Sequence, residues 1–283
     1  MGVNQPFNLY IMIVYVYWII HPIIIEIHLY PLHHFTSMQR IDEAIGLDWF
    51  PVALYRSPFM PDDAEVVDHR CGIPVLVQCA RDGGKYASNS SVMSCHGAAS
   101  GFGFGGIPDR NHTAMNISHF PPGTDRKGKM HFRDPGCAMI QLDAIGDFGT
   151  GDDTIVFQDV HSAESEGADI QVVVFLADPV HLSALMQLAS FSRESPGPAT
   201  IIPYGNACQQ VYAIPLTEGS SEEPRGVLGM TDMYARRFTP GNVMSYAVPY
   251  ALYKRMTQDM GSSFLTDERY REYMSKALHG DSV

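Results

Sequence analysis

Three cysteines in this sequence, Cys71, Cys95 and Cys208, offer the clearest chemistry. Cys71 and Cys208 each begin an apolar segment that predicts a helix, and Cys95 opens a run of small residues. A cysteine at a helix N-terminus has its thiolate stabilised by the helix dipole and by free backbone N–H groups. Thiolates are good ligands for iron–sulfur clusters, zinc and Cu(I). We therefore predict that these three residues ligate a cluster or another metal.

The fourth ligand position of such a centre is either open or filled by a neighbouring residue. His96 follows Cys95 directly, and Cys79 lies in the predicted helix that starts at Cys71. Cys79 lies about 80° round that helix from Cys71, which favours a packing role, and Cys137 has no visible partner and is interpreted as structural. The competing interpretation is that the cysteines are small buried side chains, because their spacing is unlike the paired CxxC pattern of metal sites.

A glycine-rich segment, GFGFGG at residues 101–106, is the second feature with chemical potential. It matches the pattern GxGxxG, but no predicted strand leads into it and no clear helix follows, so we do not expect a dinucleotide site. Glycine allows tight turns and close approach of the backbone to a ligand. We expect backbone N–H groups here to contact a small molecule or a cluster, and the predicted ligand-binding residues are Gly101, Gly103, Gly105 and Gly106.

Hydrophobic patterns predict the elements that position these residues. Residues 170–177 (IQVVVFLA) form a near-continuous β-branched run, which is typical of a strand buried on both faces. Residues 107–135 are rich in Pro, His, Asp, Asn and Gly and predict a long loop or lid with solvated histidines, and residues 163–167 predict a polar break. Further strands are predicted at 50–55, 154–158 and 227–230, and helices at 41–46, 71–82, 137–145, 179–192, 208–216, 249–260 and 267–278.

Two parts of the chain resemble each other. Each part contains a strand that ends at a proline, then a cysteine, an apolar helix and a glycine. Cys71 and Cys208 occupy equivalent places in the two parts. The matching segments are VALYRSP (52–58) with HRCGIPVLVQCARDG (69–83), and VVFLADP (173–179) with NACQQVYAIPLTEG (206–219).

The predicted fold is α/β or α+β, with two similar strand–helix halves that form one globular unit around a mixed sheet. The halves cover about residues 46–106 and 168–260. Shared sites often lie where two such halves meet. A duplication of this kind would bring Cys71 and Cys208 close to one centre.

Composition and charge limit the classes of function. The chain has 283 residues, of which 45% are hydrophobic, and its formal net charge is −12 with a pI of about 5.3. An acidic surface repels phosphate backbones, so we do not expect nucleic acid as a partner. Five cysteines without the spacing of a small disulfide-bonded domain favour a reducing compartment, which predicts a cytoplasmic location.

The N-terminal residues 1–37 form an apolar extension that stands apart from the rest of the chain. Residues 7–32 are long enough for a membrane span, but Pro22 and Glu26 interrupt them and no basic residue precedes them. The extension is interpreted as a misassigned start, with Met38 as the true first residue, as a membrane anchor, or as a buried element. The remaining predicted units are a domain at 38–265 and a charged C-terminal helix or tail at 266–283.

Spaced segments over about residues 40–265 resemble the DUF169 family of uncharacterised archaeal and bacterial proteins. The resemblance implies that Cys71, Cys95 and Cys208 belong to the family pattern, whereas Cys79 and Cys137 are particular to this chain. The family brings no established activity with it. The segments that carry the resemblance are GLDWFPVALY (46–55), RCGIPVLVQCARDG (70–83), SCHGAASGFGF (94–104), ADIQVVVFLADPVHLSALM (168–186), NAC (206–208), GMTDMYARR (229–237) and AVPYALYKRM (247–256).

Three hypotheses of function follow from these observations. The first is an iron–sulfur or metal-binding protein, redox-linked, with the three cysteines as ligands and a redox protein or a small molecule as partner. The second is a non-catalytic module that binds a small molecule and whose cysteines are structural. The third is a membrane-anchored accessory protein that uses residues 7–32. The sequence assigns no reaction, and a homo-oligomer is compatible with all three hypotheses.

Overall fold

The computed structural model of the protein describes residues 40–104, 109–119, 128–145 and 154–279. In these residues one eight-stranded sheet is covered by helices. The strands are β1 (Val52–Ser57), β2 (Glu65–Val66), β3 (Lys85–Ser88), β4 (Thr154–Asp159), β5 (Val172–Ala177), β6 (Thr200–Ile201), β7 (Gly226–Gly229) and β8 (Met244–Pro249). The helices are α1 (Ile41–Ile45), α2 (Gly72–Asp82), α3 (His96–Phe102), α4 (Arg110–Ile117), α5 (Pro135–Ile145), α6 (Val160–Ser165), α7 (Pro179–Ser190), a π-helical turn (Gln209–Ala213) continued by α8 (Ile214–Glu218), α9 (Tyr250–Asp259) and α10 (Glu268–His279).

The sheet is mixed, as the sequence predicted. Its strand order is β2-β3-β4-β1-β5-β8-β7-β6. The edge pairs β2–β3 and β6–β7 are parallel, and the other neighbouring strands run antiparallel. Every residue of β4 and β5 is buried, because helices pack on both faces of the sheet.

The strand order divides into two equivalent sets of four around the central pair β1–β5, in which Ala53 lies opposite Val173. Reading outward from this pair, the first half contributes β1, β4, β3 and β2, and the second contributes β5, β8, β7 and β6. Helix α2 connects β2 to β3, and the π-helical turn with α8 connects β6 to β7. Cys71 and Cys208 therefore occupy corresponding places in the connectivity, while the duplication of the sequence itself stays a prediction.

Side chains alternate between the two faces of the sheet and so divide the core into two layers. Val172 and Val174 point to one face, where α2, α3 and the π-helical turn pack. Val173 and Phe175 point to the other face, where α1, α7 and α9 pack. This alternation follows from the two-residue period of a strand. All three candidate cysteines lie in the first layer.

Two predictions about connecting segments were wrong in part. Residues 107–135 contain α4. Asp109 caps the start of this helix, because its side chain accepts hydrogen bonds from the backbone N–H groups of Asn111 and His112. This helix packs with α5 in a small separate cluster that includes Ala114 and Leu142. The sequence of α4 has almost no amphipathic pattern, so only local capping residues indicate where this helix begins and ends. The polar break predicted at 163–167 is also shorter than expected, because α6 continues to Ser165.

Most other elements were predicted within a few residues, whereas α3, β2, β6 and β8 were missed. Helix α10 agrees with the predicted C-terminal helix and carries no buried residue. The described residues include no helix with the length and apolar character needed to cross a bilayer. The predicted apolar extension at residues 1–37 lies outside the described residues.

Candidate functional site

Cys71 lies immediately before α2 and is its N-cap residue. Its backbone is extended and its side chain makes no capping hydrogen bond, which leaves the thiol available for other contacts. The start of α2 lies very close to the end of α3. A Cβ atom placed on Gly72 would be only 2.2 Å from the Phe102 ring. Glycine at this position therefore allows the two helices to approach and brings Cys71 towards α3.

Cys95 is the N-cap residue of α3 and is tied to the segment before Cys71. Its thiol accepts a hydrogen bond from the backbone N–H of Ala98 at 3.2 Å. Its own N–H donates to the carbonyl oxygen of Arg70 at 3.1 Å, and Nε of Arg70 donates to Oγ of Ser94 at 3.0 Å. These two hydrogen bonds hold the residues that precede Cys71 and Cys95 side by side.

Cys208 lies in the first turn of the helix that contains the π-helical turn, and Asn206 caps this helix. Oδ1 of Asn206 accepts from the N–H of Gln209, and Oε1 of Gln209 accepts from the N–H of Asn206, both at 3.0 Å. This reciprocal pair is a capping box. Nδ2 of Asn206 also donates to Oγ of Ser100 in α3 at 3.1 Å. The cap of one helix thus joins the Cys208 segment to the helix that follows Cys95.

The π-helical turn that follows Cys208 is held by a fully buried side chain. Nε2 of Gln210 donates to the carbonyl oxygen of Pro203 and to Oγ1 of Thr231, and its Oε1 accepts from the N–H of Thr231. π-Helical turns are rare and frequently occur at functional sites, because the wider turn shifts side chains from their normal helical positions.

Gly101 allows α3 to pack directly on Cys208. A Cβ atom at Gly101 would lie 2.4 Å from Cβ of Cys208 and 2.5 Å from its carbonyl carbon. Gly101 packs against Cys208 in the fold, and its predicted contact with a ligand stays a prediction. Gly103 has a φ of 75° and ends α3. Gly105 and Gly106 lie outside the described residues, so their predicted role stays a prediction.

Of the three cysteines predicted as ligands, Cys71 interacts with each of the other two in the folded chain. The thiol of Cys71 makes side-chain hydrogen-bond contacts with Cys208 and with Cys95. Cys208 is 3% exposed, whereas Cys71 and Cys95 are partly exposed. We call these three residues the thiol centre. It joins Cys71 and Cys95 of the first half to Cys208 of the second.

Mutual contact and burial raise the pKa of two thiols of this centre, Cys71 and Cys95. The hydrogen bond with Cys208 raises the pKa of Cys71 to about 11, although the hydrogen bond with Cys95 acts in the opposite direction. The contact with Cys71, together with burial, raises the pKa of Cys95 well above its usual range, and the N–H of Ala98 opposes this effect. Neighbouring thiolates repel each other, so a cation between Cys71 and Cys95 would favour their ionised forms.

The thiol centre is a chain of contacts with Cys71 in the middle. Within the described ranges, no group of three or more His, Cys, Asp and Glu side chains is arranged as a ready-made metal site. Of the two predicted fourth ligands, His96 is exposed at the start of α3. Cys79 is fully buried and its thiol donates to the carbonyl oxygen of Gly84 at 3.2 Å, at the far end of α2. This buried position agrees with the packing role that the sequence favours for Cys79.

Other cavities lie elsewhere in the part of the chain that the structure describes. One, of about 540 Å³, is lined by residues of α7 and by Phe264. Another, of about 230 Å³, is lined by residues that include Trp49, Asp178 and His181. The three cysteines and the described residues of the glycine-rich segment line neither cavity.

Sequence reasoning missed several residues that position the thiol centre. Asn206 and Gln209 carry the spacing of a capping box, and this local signal was available in the sequence. The roles of Ser100, Gln210 and Gly72 depend on contacts between distant segments, and no local pattern indicates them.

Comparison with known proteins matches residues 40–259 to the family DUF169, which is described as uncharacterised ArCR. The match covers most of the chain, including every cysteine. No curated protein and no solved structure matches.

Proposed function

The chain belongs to the DUF169 family, and from that premise we propose that its function is to bind a soft metal ion or an iron–sulfur cluster through Cys71, Cys95 and Cys208. The observation that supports this proposal is the contact of the Cys71 thiol with both other thiols. Two thiolates that ligate one zinc ion at about 2.3 Å are about 3.8 Å apart. Side chains that already touch need only small rotations to reach such an arrangement.

The donor set determines which class of metal fits. Three sulfur donors favour Zn²⁺, Cu(I) or an iron–sulfur cluster over the hard cations Mg²⁺ and Ca²⁺, which prefer oxygen. A bound cation would replace the thiol protons, because thiolates and not thiols are the ligands. Three protein ligands leave one coordination position for an external ligand or for His96, and an open position is typical of metal centres that act on a substrate.

The cellular setting belongs to the same proposal. The five cysteines lack the spacing of a small disulfide-bonded domain, which supports a reducing compartment such as the cytoplasm. A cluster in this setting would exchange electrons with a redox protein, and a zinc ion would polarise a small-molecule substrate.

Anaerobic purification followed by metal and sulfide analysis tests the proposal. We expect about one zinc or copper ion per chain, or iron with matching sulfide and broad visible absorbance. Cys71→Ser, Cys95→Ser and Cys208→Ser should each lower the metal content at least tenfold, because each removes a thiolate from the set. Cys137→Ser is the matched control, since this partly exposed cysteine on α5 lies outside the thiol centre, and it should keep the metal.

A folded wild-type protein that contains no metal after this treatment, and takes up none of these ions on titration, would refute the proposal. That result would favour the alternative in which the cysteines are structural and the protein binds a small molecule.

A further inference from the structure

An exposed tyrosine in the connection between β7 and β8 is the centre of a surface that lies outside the thiol centre and the cavities. Nζ of Lys129 lies 4.5 Å from the centre of the Tyr234 ring, and the rings of His131 and Tyr234 are 6.2 Å apart. Nδ1 of His131 is 3.3 Å from the hydroxyl oxygen of Tyr204. These contacts join segment 128–132 to the connection between β7 and β8. We call the following residues the aromatic–basic surface: Lys129, Met130, His131, Met233, Tyr234 and Arg237.

The apolar side chains of this surface are open to solvent. Met130 is 67% exposed, Met233 77% and Tyr234 57%. Single exposed apolar residues are normal, but several on contacting segments form a patch, and such patches mark interaction sites. Methionine and tyrosine are enriched where proteins bind other proteins. The composition of the surface therefore fits a protein partner.

The basic side chains of this surface lie over aromatic rings. Lys129 lies over Tyr234, and the guanidinium carbon of Arg237 is 4.7 Å from the centre of the Phe238 ring. In the ranges that the structure describes, neither cation pairs with a carboxylate, whereas Arg225, for example, does so. Unpaired cations make this surface complementary to acidic groups, although the net charge of the chain is −12.

The backbone of both segments is held in an unusual conformation. Met130 and Met230 have φ angles of 57° and 62°, and in the described part of the chain only these residues other than glycine have a positive φ. The N–H groups of Lys129 and His131 donate to carbonyl oxygens at the end of α4, both at 2.8 Å, and fix the segment around Met130. Left-handed residues other than glycine are uncommon and cluster at functional sites. A surface that is fixed in advance also loses little entropy when a partner binds.

We propose that the aromatic–basic surface binds an acidic peptide segment of a partner protein. Carboxylates of the segment pair with Lys129 and Arg237, and an apolar side chain of the segment packs on Tyr234 and the exposed methionines. The nearby carboxylate of Asp232 is engaged within its own loop, because its oxygens accept from the backbone N–H groups of Tyr234 at 3.0 Å and Ala207 at 3.4 Å.

The charge of the whole chain decides between a peptide and a nucleic acid. At physiological ionic strength, charges are screened over about 8 Å. A short acidic segment therefore interacts with the cations of the surface alone. A long phosphate backbone would extend over the remainder of a chain whose net charge is −12 and would be repelled there. The surface is thus suited to a peptide.

The surface borders the segment that carries Cys71. The ring of His69 lies edge-on to that of Phe238 at 6.3 Å, and Phe238 is also the ring under Arg237. Cys71 follows His69 by two residues. A bound partner is therefore held beside the segment that leads to the candidate metal site, but binding of the peptide itself requires no metal.

Selection from a library of random short peptides tests this proposal. Full-length protein is treated with a chelator and immobilised, and the peptides that bind to it are recovered and sequenced. We expect enrichment of peptides that combine aspartate and glutamate with an aromatic or long aliphatic residue. A selection that enriches no peptide, or that enriches basic peptides, would overturn the proposal.

Fluorescence anisotropy of the strongest selected peptide then locates its binding site. Tyr234→Ala should weaken binding about tenfold, as expected for an aromatic residue at the centre of an interface. Lys129→Gln and Arg237→Gln should each weaken it about threefold, because exposed ion pairs contribute little. Met233→Ser should also weaken binding. Arg271→Gln is the matched control, since it removes an exposed arginine of α10, and it should leave the affinity unchanged.

Equal affinities of wild type, Tyr234→Ala and Arg271→Gln would place the peptide elsewhere and overturn the proposal. A single-stranded oligonucleotide that binds more tightly than the selected peptide would also overturn it. Circular dichroism verifies that each variant folds. Met233→Ser provides the same decision if Tyr234→Ala fails to fold, because the Met233 side chain mainly contacts solvent.

The result is separable from that of the metal analysis, because every measurement uses metal-free protein. Peptide binding by a chain that never takes up metal would support the aromatic–basic surface alone. Metal uptake by a chain that selects no peptide would support the metal site alone.

Discussion

At the scale of single residues, Asn206 helps to fix the position of Cys208. It caps the helix that carries Cys208, and its amide donates to Ser100 in α3. A capping residue typically stabilises a helix by about 1 kcal/mol relative to alanine. The second hydrogen bond adds the link between the Cys208 segment and the helix that follows Cys95.

We therefore expect Asn206→Ala to lower the free energy of unfolding by about 1–2 kcal/mol and to weaken metal uptake. Asn206→Asp is the matched control, because its carboxylate keeps the acceptor for the N–H of Gln209 but cannot donate to Ser100. It should keep most of the stability and lose metal affinity. Urea unfolding and metal titration measure the two effects. Equal metal affinity in Asn206→Ala and wild type would show that Asn206 does not position Cys208.

Gly101 presents a packing constraint at the residue scale. A methyl group on Gly101 would overlap the Cys208 backbone, which is rigid, so α3 would have to move away. We expect Gly101→Ala to destabilise the protein by about 1–3 kcal/mol, the usual range for overpacking. Gly261→Ala is a suitable control because nothing lies within 4 Å of its Cβ position, and its effect should be below about 0.5 kcal/mol. Thermal unfolding compares the two variants, and similar melting temperatures would contradict the packing argument.

At the scale of elements, helix α1 is attached to α6 by a partly buried hydrogen-bonded pair, Asp42 and His161. A carboxylate oxygen of Asp42 is 3.1 Å from Nε2 of His161, and Arg40 contacts the other oxygen at 3.0 Å. Burial alone would raise the pKa of Asp42, but the hydrogen bond and charge of His161 and the charge of Arg40 lower it overall. The carboxylate is therefore more acidic in the folded chain than in the unfolded chain.

This shift predicts how stability depends on pH. A lowered pKa in the folded state contributes stability above the unfolded pKa, near 4, and this contribution disappears as the pH falls through the lower folded pKa. We expect the urea midpoint of the wild type to fall between pH 5 and pH 2, and Asp42→Asn to show a smaller fall because it removes one of the groups responsible. Asp267→Asn is the comparison variant, since Asp267 also has a lowered pKa but lies on the surface. Identical pH profiles for Asp42→Asn and wild type would show that the pair contributes nothing.

At the scale of the whole molecule, the thiol centre joins the two halves of the sheet. Cys71 and Cys95 follow from β2 and β3 of the first half, and Cys208 precedes β7 of the second. A metal held by all three ligands binds only the folded chain, and such a ligand stabilises the folded state by about 2.7 kcal/mol at 100 times its dissociation constant.

Metal binding should therefore raise the melting temperature of the whole domain by roughly 5–11 °C, given about 2–4 °C per kcal/mol for a domain of this size. Cys208→Ser should lose this shift, because the second half then contributes no thiolate. Cys137→Ser should keep it. Differential scanning fluorimetry of apo and metal-loaded protein measures the shift, and a shift retained in Cys208→Ser would show that the metal is bound within the first half alone.

Elements with a strong local pattern were predicted correctly from the sequence. The β-branched run of β5 and the apolar face of α7 are recognisable because burial imposes a fixed spacing on the residues of a strand or a helix. The position of Cys71 at the start of α2 follows from the proline in the first turn and the glycine that ends the helix. Helix α4 has no such pattern and was missed. It packs against α5, and this contact leaves no periodic spacing in the sequence of α4.

The meeting of the three thiols depends on contacts between segments that are far apart in the chain. The internal similarity indicated that Cys71 and Cys208 are equivalent, but only the packing of α3 against the Cys208 segment brings Cys95 and Cys208 to the same Cys71. The role of Gly101 has the same origin, because a sequence motif cannot distinguish a glycine that approaches a ligand from one that approaches another helix. Local patterns specify which residues form an element, whereas the shapes of the packed surfaces specify which elements touch.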